Sequence, residues 1–136
     1  TWTTPQDFFD KLNDEFHFTL DAAALKSSAK VDNYFGPDHK LLWRRDALTC
    51  VWDGAANGGW VWLNPPYGRD IKPFMRKAHE EVQAGAKVVA LVPARTDTFW
   101  WHEYCIQYEV RFLRGRLKFG NSTNSAPFPS ALVIMQ

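Results

Sequence analysis

Two apolar runs, Trp60–Leu63 and Lys87–Val92 beyond its opening lysine, flank a stretch with helical spacing, and together they constrain this chain more than any other feature. A run that is apolar throughout, rather than alternating, suits a strand buried on both faces of a parallel sheet. Between them Ile71, Phe74, Met75, Ala78 and Val82 recur at helical intervals, and Gly85 is a helix terminator. Strand, helix, strand over Trp60 to Val92 is a βαβ unit, which predicts an α/β fold with a mostly parallel central sheet flanked by helices. At 136 residues the chain suits one compact domain spanning 1–136, with 46% hydrophobic and 23% charged residues as in ordinary globular proteins.

Other elements read less sharply. Thr4-Pro5-Gln6-Asp7 is a helix start, with Thr at the N-cap and Pro at the first helical position. Phe8, Phe9, Leu12 and Phe16 then give an apolar helical face ending near His17. Phe16–Leu20 reads as a short strand with Asp21 at its C-terminal end, followed by Ala22–Leu25 as a short helix or a tight loop. A second strand is expected over Val31–Phe35, a turn at Gly36-Pro37-Asp38 and another at Gly58-Gly59. Phe99–Tyr108 reads as a helix, and Val110–Leu113 and Ala131–Met135 as late strands.

Ligands of open α/β sheets sit beyond the carboxyl ends of the strands. Asn64–Tyr67, Asp21 and Pro93–Arg95 all fall at such ends, so three polar clusters are expected on one rim. The first is Asn64-Pro65-Pro66-Tyr67, directly after the buried strand. The two prolines fix φ and bias the residues before them, so the corner is stiff and its carbonyl directions are set. Such a corner suits methyl transfer to an exocyclic amine on a flat ring. The nitrogen lone pair there is delocalised, and accepting hydrogen bonds from both N–H groups returns electron density to nitrogen. The Asn64 side-chain oxygen and the Pro65 carbonyl are the two candidate acceptors. Tyr67 offers a face for stacking, worth about 1–3 kcal/mol per base. The plainer reading is a Pro-rich turn whose Asn caps a helix and whose Tyr packs; the βαβ context favours the functional one.

With those residues in hand, the chain resembles the short phage-type DNA N6-adenine methyltransferases, which are S-adenosylmethionine-dependent amino-methyltransferases. The likeness runs from Trp2 to Ile134 through "WTTPQDFFDKL", "FTLDAAA", "WLNPPYG", "VVALVPARTDTFWWH" and "LRGRLKF". It implies a Rossmann-like class I methyltransferase fold and transfer of a methyl group to N6 of adenine in DNA. The transfer would be a direct in-line displacement on a base turned out of the duplex. It also implies a cofactor site in the N-terminal half. Thr4 and Pro5 would lie beside the methionine moiety, Asp21, Ala22 and Ala23 where the first strand meets the cofactor, and Asp46 at the adenine amino group. Asp32 is the nearest candidate for a ribose-binding acid. The first strand is followed by "LDAAALKSS" and lacks the Gly-rich turn of larger methyltransferases, so close backbone approach must be managed differently. Each of these residues has a simpler reading: Thr4-Pro5 as a helix start, Asp21 as a cap, Asp46 as a solvated charge.

The formal charge of +1 gives no global pull toward DNA, so binding would need a local basic patch. "RFLRGRLKFG" supplies Arg114, Arg116 and Lys118, which share strand parity, and Arg95 near the rim adds to them; a solvated strand face is the alternative. Aromatics at 15%, seven of them Trp, also suit stacking. Cys50 and Cys105 are too few for a metal cluster or a disulfide framework. With no signal peptide and no membrane-length apolar run, a cytoplasmic setting is expected. The corner alone does not separate adenine N6 from cytosine N4 or from a protein glutamine amide. A non-catalytic nucleic-acid-binding module remains the alternative from another class.

Overall fold

A computed structural model of the chain describes residues 3–120 and 123–136. Among the described residues, five strands form one sheet in the order β1-β2-β3-β5-β4. These are β1 (Phe18–Asp21), β2 (Trp60–Leu63), β3 (Lys87–Pro93), β4 (Glu109–Phe112) and β5 (Ser130–Met135). β1 pairs parallel with β2, and β2 with β3. β5 runs antiparallel to both β3 and β4. The sheet is therefore mixed rather than mostly parallel by pairing, with β5 alone reversed. An apolar run marks a strand as buried but says nothing about its direction, and Ala131–Met135 is as apolar as Lys87–Val92.

Successive residues of a strand face opposite sides of the sheet, and the core divides accordingly. Val61, Leu63, Val88, Ala90, Val92 and Val133 join the cluster on one face. Trp62, Val89, Leu91, Leu132 and Ile134 join the other. The first face is covered by the short α2 (Trp52–Ala55), α3 (Ile71–Gln83) and α4 (Phe99–Tyr104), through Trp52, Met75, Ala78, Trp100 and Trp101. The second is covered by α1 (Gln6–Phe16), through Phe9, Leu12 and Phe16. Phe9 meets Trp62 edge-on at 5.3 Å between ring centroids, the geometry that aromatic quadrupoles favour. Helices thus lie on both faces, and this three-layer arrangement leaves the strand ends open.

Local signals decide where several elements stop. α3 ends as Gly85 at φ 112° lets the chain turn back, with Ala86 N–H donating to Glu81 O. α1 ends at His17 in the left-handed region, and Asn13 Oδ1 accepts from Phe18 N–H to launch β1. The start of α1 differs from expectation. Pro5, not Thr4, is the N-cap, and no side chain caps the helix. Thr4 is buried instead, with a partner far along the chain.

Residues 31–35 do not form a strand; a single parallel bridge joins Tyr34 to Asp21. Asp21 N–H donates to Asn33 O and its carbonyl accepts from Phe35 N–H, so this segment covers the edge of β1 where a neighbouring strand would lie. Ala22–Leu25 is a tight loop rather than a helix. β4 stops at Phe112, and Gly115 at φ 74° follows, so Arg114, Arg116 and Lys118 lie in the loop between β4 and β5 rather than on a strand face. The parity expected to align them does not apply. Among the described residues, no helix is long and apolar enough to cross a membrane.

Candidate active site

β1 and β2 lie side by side and end together on one rim. Asp21 closes β1, and Leu63 delivers the chain to Asn64-Pro65-Pro66-Tyr67. A cavity of about 390 Å³ opens between these strand ends, within the size range of small-molecule sites. Thr4, Asp21, Ala22, Ala23 and Asp46 line it, as do all four residues Asn64, Pro65, Pro66 and Tyr67. Pro5 is not in its wall, being the cap of α1. Arg95, Arg114, Arg116 and Lys118 are exposed and lie outside it. Asp32 also lies outside, on a separate polar depression with Lys26, Asp38 and His39.

Asp21 is the electrostatic centre of the cavity. Its carboxylate accepts from Ala23 N–H (3.3 Å) and Lys30 N–H (3.0 Å), so the loop after β1 wraps round it. Burial raises its pKa to about 6, and those two bonds, with the Lys30 charge, pull the other way. Lys30, whose Nζ donates to Gln6 Oε1, is itself lowered from the usual lysine range, chiefly by burial. Ala22 N–H donates to Trp62 O and seals the loop to β2. Asp46 is exposed, and its side chain caps the short 3-10 turn Ala47–Thr49 by accepting from Leu48 N–H. Lys30 and Arg45 contribute cations to the wall opposite these acids in charge.

A glycine in the cavity wall lets two backbone segments pack closely. Gly36 is in the wall, and a Cβ there would overlap the Ala24 carbonyl and approach the Tyr34 ring. Its bare Cα lets residues 34–36 lie flat against the loop after β1, with Ala24 N–H donating to Phe35 O. The close approach is thus between two segments of this chain.

The corner is held from several sides. Asn64 Nδ2 donates to Thr4 Oγ1 at 3.1 Å, tying β2 to the segment before α1 and orienting the amide. Pro65 is buried and Pro66 exposed. Tyr67 is half-buried; its hydroxyl donates to Leu91 O at 3.3 Å. Phe119 and Phe128 meet its ring edge-on, with centroids 6.2 and 5.5 Å away. Burial raises the Tyr67 pKa well above the normal phenol value, so the hydroxyl stays protonated and acts as a donor, not as a base.

Several wall residues carried no sequence signal of their role. Lys30, Phe35, Gly36 and Arg45 reach the cavity because the 22–51 connection folds back over β1, and Phe74 reaches it from α3. Gly36 alone had a hint, in the Gly36-Pro37-Asp38 turn.

Comparison with known proteins bears on this geometry. The family model described as DNA N-6-adenine-methyltransferase (Dam) matches residues 1–135. The chain is 26% identical over 145 aligned residues to the DNA N-6-adenine-methyltransferase of Haemophilus phage HP1, covering 99% of this chain and 78% of that protein. It is 32% identical over 104 residues to the DNA N-6-adenine-methyltransferase of Escherichia phage T1, covering 75% of this chain and 39% of that one.

Proposed function

The chain belongs to the DNA N-6-adenine-methyltransferase (Dam) family, and from that premise we propose that its cavity binds S-adenosylmethionine and that Asn64–Tyr67 presents adenine N6 of DNA for methylation. One observation carries this reading: the buried Asp21 and the whole Asn-Pro-Pro-Tyr corner share the wall of a single cavity. A nucleoside-bearing amino acid needs hydroxyl and amine acceptors, a cation for its carboxylate and flat apolar walls. Asp21 and Asp46 supply the acceptors, Lys30 and Arg45 the cations, and Ala22, Ala23, Phe35 and Phe74 the apolar surface, so the residues fit the cofactor. Thr4 lies toward its methionine end in this reading, Asp21–Ala23 along its middle and Asp46 at its adenine. The cap bond to Leu48 occupies one acceptor site of Asp46, and a carboxylate has several. In this reading the layered α/β arrangement is a Rossmann-like class I methyltransferase fold.

When bound, the cofactor supplies a methyl group on a sulfonium centre, open to in-line attack by an amine. The chain's own residues hold and polarise that amine. Thr4 takes the Asn64 amide nitrogen as donor, which makes Oδ1 the acceptor for one N–H of the base. The Pro65 carbonyl accepts the other, on a backbone stiffened by consecutive prolines. Tyr67 lies against the base, its ring fixed by Leu91, Phe119 and Phe128. No strong base is needed, because the surplus proton leaves to water after transfer; catalysis rests on positioning and hydrogen bonding. The adenine turns out of the duplex to enter, at a cost of a few kcal/mol. Arg95, Arg114, Arg116 and Lys118 contact phosphates beside the cavity.

Incubating the chain with defined oligonucleotides and methyl-labelled S-adenosylmethionine, then digesting to nucleosides, tests the proposal. Label in N6-methyladenine is expected. Label in N4-methylcytosine or only in protein would contradict the assigned acceptor, and failure of the cofactor to bind in calorimetry would leave a DNA-binding module.

A further inference from the structure

Phe128 stands between the corner and an exposed cation. One neighbour is Tyr67, 5.5 Å away between centroids at 80°. Another is the Arg95 guanidinium, whose Cζ lies 5.4 Å from the same ring centroid. Phe128 is only 5% exposed, so the ring cannot yield into solvent. Its backbone is equally confined. Prolines 127 and 129 flank it and restrict φ on both sides. Pro129 O accepts from Ala94 N–H at 2.8 Å, clamping the segment to the loop that carries Arg95. Ala126 N–H donates to Leu117 O at 2.8 Å, joining it to the loop of Arg116 and Lys118. Arg95 itself is exposed and, among the described residues, makes no ion pair.

We propose that Phe128 is a positioning residue whose ring transmits contact between Arg95 and a DNA phosphate to the Tyr67 ring, so that Arg95 governs the rate of methyl transfer and not only DNA affinity. The inference rests on the function proposed above. A phosphate that draws the guanidinium down fixes it over the Phe128 face, and the packed ring passes that restraint to the phenol. Tyr67, already pinned at its hydroxyl by Leu91, then has no room to tilt. Arg95 never touches the base in this scheme; it acts through another side chain. A cation that merely gathers DNA would change KM and the salt dependence and leave the saturated rate alone.

The test is a double-mutant cycle on single-turnover methyl transfer, with saturating labelled cofactor and duplex oligonucleotide. Arg95→Ala is expected to slow transfer about tenfold in the wild-type background and less than about threefold when Phe128 is already Leu, since contacting residues couple on this scale. Phe128→Tyr, which keeps the ring, should retain the full Arg95 effect. Cofactor affinity by calorimetry should be unchanged in every variant, which separates positioning from unfolding. If Phe128→Leu fails to bind cofactor, the KM-against-rate split of Arg95→Ala alone decides. A rise in KM at an unchanged saturated rate, or equal Arg95 effects in both backgrounds, overturns the inference while leaving the methyltransferase reading intact. No transfer by the wild-type chain at all would refute both.

Discussion

Asp21→Asn gives a pH signature that only a buried carboxyl in this cavity can produce. Burial raises the folded-state pKa from 3.8 to about 6, against the pull of the Ala23 and Lys30 N–H groups. Below the unfolded-state value both states are protonated, and the carboxyl costs the fold nothing. As pH climbs between the two values, the unfolded chain ionises first, so the native state loses stability at about 1.4 kcal/mol per pH unit. Above about 6 both states are ionised and the loss is complete, at about 3 kcal/mol for a shift of this size. The amide of Asn does not titrate. It gives up one of the two backbone bonds, because its nitrogen cannot accept from Lys30 N–H, and that costs about 1–3 kcal/mol at every pH. The two effects separate cleanly. Urea unfolding of both proteins, from about pH 4 to about pH 7.5, should show the variant gaining about 2–2.5 kcal/mol on the wild type across the range, the rest of the loss lying below pH 4. Every other titrating group cancels in the difference. A flat difference, or one in which the wild type gains as pH rises, would refute the claim that Asp21 is desolvated.

The same titration reaches the cofactor. Affinity for S-adenosylmethionine should fall as pH drops below about 6, by up to about tenfold per unit, and should do so in the wild type but not in Asp21→Asn; pH-independent calorimetry would contradict a role for the ionised carboxylate. Gly36→Ala should destabilise by about 1–3 kcal/mol, because its new Cβ meets backbone that cannot move aside. Gly54→Ala, where a Cβ meets nothing within 4 Å, should be neutral or gain up to about 1 kcal/mol. Thermal unfolding of the pair checks both, and equal midpoints would show that the 34–36 segment is not packed as described.

What the sequence carried depended on how local each cause was. β2, α3 and β3 were legible because burial on two faces, helical periodicity and a terminal glycine are all written in adjacent residues. The place of Asn64–Tyr67 at the end of β2 is legible because the prolines that stop the strand stand next to it. Thr4 has the residue type and place of a helix cap but does not cap α1, since its partner is Asn64, 60 positions away, and no window along the chain contains both. The 31–35 segment has strand-like residues but makes a single bridge, because Asn33 and Phe35 bond round Asp21 instead of along a ladder. The basic stretch failed as a strand because Gly115 breaks the extended run before the second cation. The reversed direction of β5 was beyond reach, since direction is set by the path of the connection and not by the strand.

The most direct test of the central claim is single-turnover methyl transfer by Asn64→Ala, read beside its cofactor affinity. If the corner polarises the amine, transfer should fall by about 100-fold or more, the scale on which removing one preorganised hydrogen-bonding group slows a reaction, while S-adenosylmethionine binds within a few-fold of wild type. Transfer at the wild-type rate would mean that the amine is held elsewhere.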